Sequence, residues 1–326
     1  MTSVHINGGT IMQLKNNLII NKAKNASVIL ILLVAVYLIL FFATSGRFGS
    51  LQSIKLIVQQ AFIPSVLAWG LCFIFTLGLY DFSIGSILVM ACIVGADLSK
   101  TFGFTGLILG CLITAAVMGF LNGFIYLRLK IPSIIVTIGL MMIYEIAANL
   151  YGGGGGATLP DKYSLLGFFP NNIIVGLVAA LVAFIIFKHT RLGIYIRAIG
   201  NSEPIAKNSG IRVDKIKLMS FVLTGFFTGI AAIMTVSYSG GVVPQTGMGT
   251  MARVFSPLMG CFIGMALSKY CNIVVSIFVG ELILIMINTG MIAAGIDTSF
   301  QQVITGLFLL ILVGITSVNK RNEVVK

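Results

Sequence analysis

Val28-Ile29-Leu30-Ile31-Leu32-Leu33-Val34-Ala35-Val36-Tyr37-Leu38-Ile39-Leu40-Phe41-Phe42-Ala43 is an unbroken apolar run without a single charge. A bilayer core takes about 20 mostly apolar residues to cross as a helix, and blocks close to that length recur as far as residue 318. Working outward from the first, they fall at 28–44, 57–77, 84–99, 106–127, 133–151, 171–187, 216–238, 253–268, 271–290 and 300–318. Barrel strands would alternate polar and apolar residues over about ten positions, and these runs do not. The pattern predicts an all-α integral membrane protein of about ten transmembrane helices. Composition agrees, with 58% hydrophobic and 9% charged residues, whereas soluble domains carry roughly 25% charged residues.

Charge sets the expected orientation, because basic residues collect in cytoplasmic loops. With the N-terminus inside, the cytoplasmic side holds 16 of the 21 Lys and Arg residues. The outer side holds Arg47, Lys55, Lys100, Lys162 and Arg253. Reversal would invert this bias, so both termini are placed in the cytoplasm. The chain then divides into a cytoplasmic N-terminal segment (1–27), a transmembrane domain (28–318) and a cytoplasmic tail (319–326). One long basic loop, 188–215, interrupts the transmembrane domain on the cytoplasmic side. Lys15, Lys22 and Lys24 before the first span resemble a signal-peptide flank. Phe42-Ala43-Thr44-Ser45 is a weak cleavage site, however, so the first helix is read as an uncleaved anchor.

Several function classes drop out. The net charge of +12 sits beside apolar blocks rather than in an aromatic-rich groove, which argues against nucleic-acid binding. Cys72, Cys92, Cys111, Cys261 and Cys271 lie in or beside spans without CxxC spacing or a nearby histidine, and read as small core residues. No paired carboxylates, nucleophile–base pair or metal cluster stands out, so enzyme chemistry and a resident cofactor are not expected. GxxxxGK[ST] does not occur; if ATP is used, a separate chain binds it. The five glycines at 152–156 read as a flexible external loop, or as a gate or partner contact.

Glycines four apart recur at Gly106/Gly110, Gly119/Gly123, Gly225/Gly229 and Gly260/Gly264, a spacing that lets helix backbones approach closely within a membrane. Polar residues within spans are costly and point to a partner or a watery path. Asn122, Glu145 and Asn149 (the last two on one helix face), Glu281 and Asn288 are the examples here. Either a translocation path or a structural hydrogen bond between helices accounts for the two glutamates. Asp81, Ser83 and Ser86 stand at a break between spans, where Asp81 and Ser83 can cap the following helix.

Three motifs give the chain a resemblance. Asp81-Phe82-Ser83-Ile84-Gly85-Ser86 resembles G-I-D-L-S-x-G-S, with Leu79 where glycine is usual. Pro132-Ser133-Ile134-Ile135-Val136-Thr137-Ile138-Gly139 is similar to P-x-F-I-x-T-L-G. Thr190-Arg191-Leu192-Gly193-Ile194-Tyr195, then Ala198-Ile199-Gly200-Asn201, Ala206 and Ser209-Gly210-Ile211, match T-R-L-G-R-Y…A-x-G-x-N…A…S-G-I. These are motifs of the membrane subunits of bacterial ABC sugar importers, the ribose/xylose/galactoside permease family, and the likeness covers about residues 55–318.

The resemblance implies an ABC importer permease fold in the bacterial inner membrane. It also implies a cytoplasmic ATPase that binds ATP, an external substrate-binding protein and a second permease subunit. Loop 190–211 would hold a short coupling helix that docks into the ATPase. Arg191, Gly193, Gly200, Asn201, Glu203, Ala206, Gly210 and Ile211 are its candidate residues. Pro204 can start that helix, Glu203 favours its N-terminus and Gly210 can end it. Asp81, Ser83, Ser86, Asn122, Glu145 and Asn149 are candidates for the translocation path or gate. The stretch 257–270 departs from the family by losing most of a glycine-rich motif, which leaves a heterodimer with a second permease and a homodimer both open. An ion- or proton-coupled transporter, and an ABC permease for a nucleoside or branched-chain amino acid, are the competing readings.

Overall fold

The computed structural model describes residues 27–44 and 46–297, with scattered positions between 300 and 314. The N-terminal segment to residue 26, the tail 319–326 and much of the expected span 300–318 lie outside the described residues. Helices carry the fold: α1 (Ser27–Ala43), α2 (Leu51–Thr76), α3 (Ile84–Leu129), α4 (Ser133–Tyr151), α5 (Asn171–His189), α6 (Arg191–Asn201), α7 (Glu203–Asn208), α8 (Val213–Ser239), α9 (Ala252–Leu267) and α10 (Ile273–Ala293). Among the described residues seven helices are long and apolar enough to cross a membrane.

One of the seven, α3, cannot cross as a straight rod. Its 46 residues would extend about 69 Å, roughly twice the hydrocarbon core. At Gly103 the backbone leaves helical geometry (φ 64°, ψ −145°), a region open to glycine and almost closed to other residues. The arms 84–102 and 104–129 then pack side by side. Cys111 Sγ donates to Ala91 O at 3.3 Å, Gly110 lies against the Gly95 backbone, and a Cβ on Gly106 would run into Leu98 O. The arms correspond to the expected spans 84–99 and 106–127, joined by a single residue.

The second arm also lies along α8, where the glycines found four apart meet one another. A Cβ on Gly225 would strike Ala115 O, one on Gly119 would meet Phe221 O and Gly225, and one on Gly229 would press on Leu112. Lipid tails are as apolar as leucine, so close backbone contact supplies the attraction between such helices.

The connections define two ends. Beyond α4 come the glycine run, β1 (Ala157–Thr158) and a 3-10 turn (Asp161–Gly167); β1 pairs antiparallel with β2 (Gly241–Val242) beyond α8. At this sheet end Gln59 Nε2 donates to Gly167 O at 3.4 Å. α5 leads away to the opposite, basic end, formed by α6 and α7. The glycine run is a hydrogen-bonded turn, not the loose loop expected: Gly152, Gly154 and Gly156 N–H groups bond to the carbonyls of Ala148, Asn149 and Gly152. Gly153, Gly154 and Gly156 have positive φ, and at Gly156 a Cβ would collide with Val242 O.

The described chain forms two compact units, residues 55–261 and the residues flanking them. The packing contacts described so far lie in the central unit. In the flanking unit Ile29, Val279 and Ile283 form a small core with Leu33, Val36 and Leu267 around it. Gly290 lies against Leu40, and Gly264 against Ile277. All five cysteines are free thiols, and all but the half-buried Cys271 are buried.

Candidate functional site

Two irregular segments run into the interior of the central unit, and a buried carboxylate holds each. The first joins α2 to α3. Asp81 Oδ1 accepts from Ser83 N at 2.9 Å and Ser83 Oγ at 2.6 Å. Asp81 Oδ2 accepts from Asn122 Nδ2 at 3.0 Å, which also donates to Ser83 Oγ at 2.6 Å. Tyr144 OH donates to Asn122 Oδ1 at 3.0 Å. From α4, Ser133 Oγ and Thr137 Oγ1 accept from Tyr80 N (3.0 Å) and Phe82 N (3.2 Å). Ser86 Oγ donates to Ser83 O at 2.8 Å. Asp81, Ser83, Ser86 and Asn122 are all buried.

Capping was the expected role of Asp81 and Ser83, and the geometry is different. Neither side chain caps α3; Ser83 gives its proton to Asp81, and its oxygen accepts from Asn122. The pair stabilises the break itself. Irregular backbone at membrane depth needs such internal partners, because no water or lipid satisfies it.

The second segment leads from β2 to α9. Glu145 Oε2 accepts from Met248 N at 2.8 Å, and Oε1 accepts from Thr250 N (2.8 Å) and Thr250 Oγ1 (2.6 Å). Met248 is held at φ 66°, one of only two non-glycine residues with positive φ among the described residues. Glu145 is buried and lies about 18 Å along α4 from Ser133. Thr250 O fits over Gly85, where a Cβ would clash. The first turn of α3 and the entry to α9 therefore touch in the interior, under one glutamate. Asn149, one turn further along α4, is half-buried beside the glycine turn and joins neither network.

The third region is the basic end, where the expected loop with one short helix is two helices. Thr190 caps α6, its Oγ1 accepting from Gly193 N at 3.3 Å. Gly193 and Gly200 were expected to punctuate a loop and instead lie within α6, as points of close approach. A Cβ on Gly193 would meet Phe187 O, and one on Gly200 would meet Thr76 O at the end of α2. Arg197 Nη1 donates to Phe187 O at 2.7 Å. Arg191 and Asn201 are exposed.

Pro204 stands in the first turn of α7, and Gly210 ends it at φ 82°. Gly210 N donates to Lys207 O and Ile211 N to Ala206 O, the paired bonds of a Schellman stop. Glu203 opens α7 and takes Lys217 Nζ on both carboxylate oxygens at 3.0 Å, anchoring the helix to α8. Ala206, expected to face a partner, is buried with 3% exposure, while its neighbour Ile205 stands 68% exposed. Ile194 of α6 is also exposed.

Sequence reasoning thus missed Tyr144, Thr137, Ser133, Thr250 and the apolar pair Ile194 and Ile205. A signal for the first three was present: positions 133, 137 and 144 follow the four-and-seven spacing of one helix face. Thr250 gave none, because its role depends on how a distant turn folds back.

Glycine-packed spans, helix starts inside the bundle and a helical pair at one end define a multi-pass membrane permease. The chain belongs to the family described as "Branched-chain amino acid transport system / permease component", which matches residues 53–313. Among curated proteins it is similar to the ribose import permease protein of Escherichia coli strain K12, 25% identical over 82% of this chain and 87% of that protein. It is likewise similar to the fructose import permease protein of Rhizobium meliloti, 25% identical over 89% and 84%. The autoinducer 2 import system permease protein of Photorhabdus luminescens is 28% identical over 81% of each chain. No solved structure matches.

Proposed function

We propose that this chain is the permease subunit of an ATP-driven importer carrying a small sugar across the bacterial inner membrane. The observation that carries this reading is the α6–α7 pair. It is braced on α2 through Gly200, on α5 through Arg197 and on α8 through Glu203–Lys217, yet it presents Ile194 and Ile205 to solvent. Apolar side chains on a braced element suit a docked partner that transmits force. The partner is a cytoplasmic ATPase, which supplies the ATP site this sequence lacks. About ten crossings with both termini in the cytoplasm agree with the 16-to-5 distribution of basic residues. That orientation turns the basic end to the ATPase and the sheet end to an external binding protein. A second permease, identical or distinct, completes the assembly.

The sugar assignment draws on relatives named for ribose, fructose and autoinducer 2 import. Glu145 weighs against a proton- or ion-coupled transporter, since both its oxygens are held by the 248–250 turn. The candidate path residues Asp81, Ser83, Ser86, Asn122 and Glu145 act in this reading by fixing the irregular segments that shape the path, with Asn149 nearer its outer mouth.

Ile205→Glu and Ile194→Glu test the reading in cells expressing the permease, its ATPase and its binding protein. Both side chains are exposed, so each variant inserts normally and loses ATPase from the purified complex, and uptake falls about tenfold or more, as for loss of an interface anchor. Full uptake with the ATPase still bound would remove α6–α7 as the docking element.

A further inference from the structure

At the sheet end, between the first arm of α3 and the glycine turn, lies an open cavity of about 450 Å³ that includes Asp97, Lys100, Tyr151, Gly152, Gly153 and Gly156 in its lining. Small-molecule sites span about 300–1,000 Å³. Asp97 bridges two donors: Lys100 Nζ reaches Oδ1 at 3.1 Å and Tyr151 OH reaches Oδ2 at 3.3 Å. Each carboxylate oxygen keeps acceptor capacity, the ammonium has donors to spare, and the phenol can both give and accept. Carboxylate and ammonium cancel, so the site favours no net charge. Beside them the wall is glycine backbone; a Cβ on Gly153 would project into open space.

We infer that this cavity is a reception site for a neutral polyhydroxylated ligand, of the size of a monosaccharide. A hydroxyl donates and accepts at once. Adjacent hydroxyls on a sugar ring can therefore give protons to Asp97 and to the Tyr151 oxygen, whose own proton is held by Asp97, while taking another from Lys100. The side-chain-free glycine turn lets the ring approach the backbone, and the tyrosine ring offers a flat apolar face to the sugar's C–H groups. A carboxylate, phosphate or ammonium ligand gains no net attraction from the cancelled pair. The inference rests on the importer reading, which turns the sheet end outward to receive substrate released by the binding protein. It adds a place where the sugar pauses before entering the path.

Saturation-transfer-difference NMR tests this on the assembled permease–ATPase complex in phosphatidylcholine nanodiscs, whose lipids carry no polyol headgroup. The probes are D-ribose, D-fructose and L-leucine, a zwitterion whose opposite charges also match the pair and which is therefore the stringent rival. Ring protons of at least one sugar receive saturation from the wild type. The signal falls about tenfold in Asp97→Asn, as expected when a charged hydrogen-bond acceptor is removed, and falls also in Tyr151→Phe, which keeps the ring if Asp97→Asn fails to assemble. Equal sugar signals in wild type and Tyr151→Phe, no signal from either sugar, or signal from leucine alone would overturn the inference. So would variants that lose binding-protein docking but keep the sugar signal, because the surface would then be a protein contact. ATP-dependent uptake by the wild type is measured in parallel. Uptake without any sugar signal ends this inference and leaves the importer standing, whereas uptake that needs no ATP ends the importer reading.

Discussion

Asp81 and Glu145 are each surrounded by hydrogen-bond donors, and that fixes what their amide variants do. Asparagine at 81 or glutamine at 145 turns one acceptor into an NH₂ facing an N–H or O–H group. Each replaces a charged hydrogen bond with a donor–donor contact, costing about 1–3 kcal/mol. Glu145→Gln keeps size, and size alone suggests a harmless change; the bonds to Met248 and Thr250 predict destabilisation. Thermal unfolding followed by a thiol-reactive dye reads this directly, because Cys72, Cys92, Cys111 and Cys261 are buried until the bundle opens. Both variants should unfold several degrees earlier, while Asn149→Ala, outside both networks, stays near the wild type; unchanged midpoints would remove the carboxylates as structural anchors. The sequence marks these acids as anomalous, since charge within an apolar span needs a reason. It hides their partners, because Thr250 lies 105 positions from Glu145 and meets it only after α4 and the 243–251 segment have folded.

Elements were more legible than contacts. The expected spans 133–151, 171–187 and 253–268 lie within two residues of α4, α5 and α9 at every boundary, because polar punctuation and bilayer thickness both limit them. The glycine pairs foretold close packing but not which helices pair. That is testable where the second arm of α3 crosses α8. Gly225→Val places branched carbons against Ala115 O and the Gly119 backbone and should cost about 1–3 kcal/mol as overpacking, whereas Gly139→Ala, with open space around its Cα, should be nearly silent in the same assay. The basic end was read less well. Its turn signals at Pro204 and Gly210 were correct, but Gly193 and Gly200 looked like loop residues when their missing side chains serve tight packing. Ala206 likewise occupies a motif position, although its side chain faces inward. Motif position and side-chain direction are separate facts, and only packing supplies the second.

For the whole molecule, the proposed orientation is open to a direct check. In a Cys271→Ser background, Lys162→Cys at the sheet end should react with a membrane-impermeant maleimide in intact cells. Asn208→Cys at the basic end should react only after lysis. Both positions are exposed, so the reverse pattern would invert the topology. The bend at Gly103 bears on how the protein is made. A link of one residue leaves no loop to be threaded across after the first arm has lodged in the lipid. In the proposed orientation, residues 84–129 are expected to enter the bilayer as a preformed pair, with Asp97 and Lys100 carried over as a neutral couple. A soluble tag spliced at 103 should stall that entry, while the same tag at the C-terminus should be tolerated, making biogenesis, not transport, the step this glycine controls.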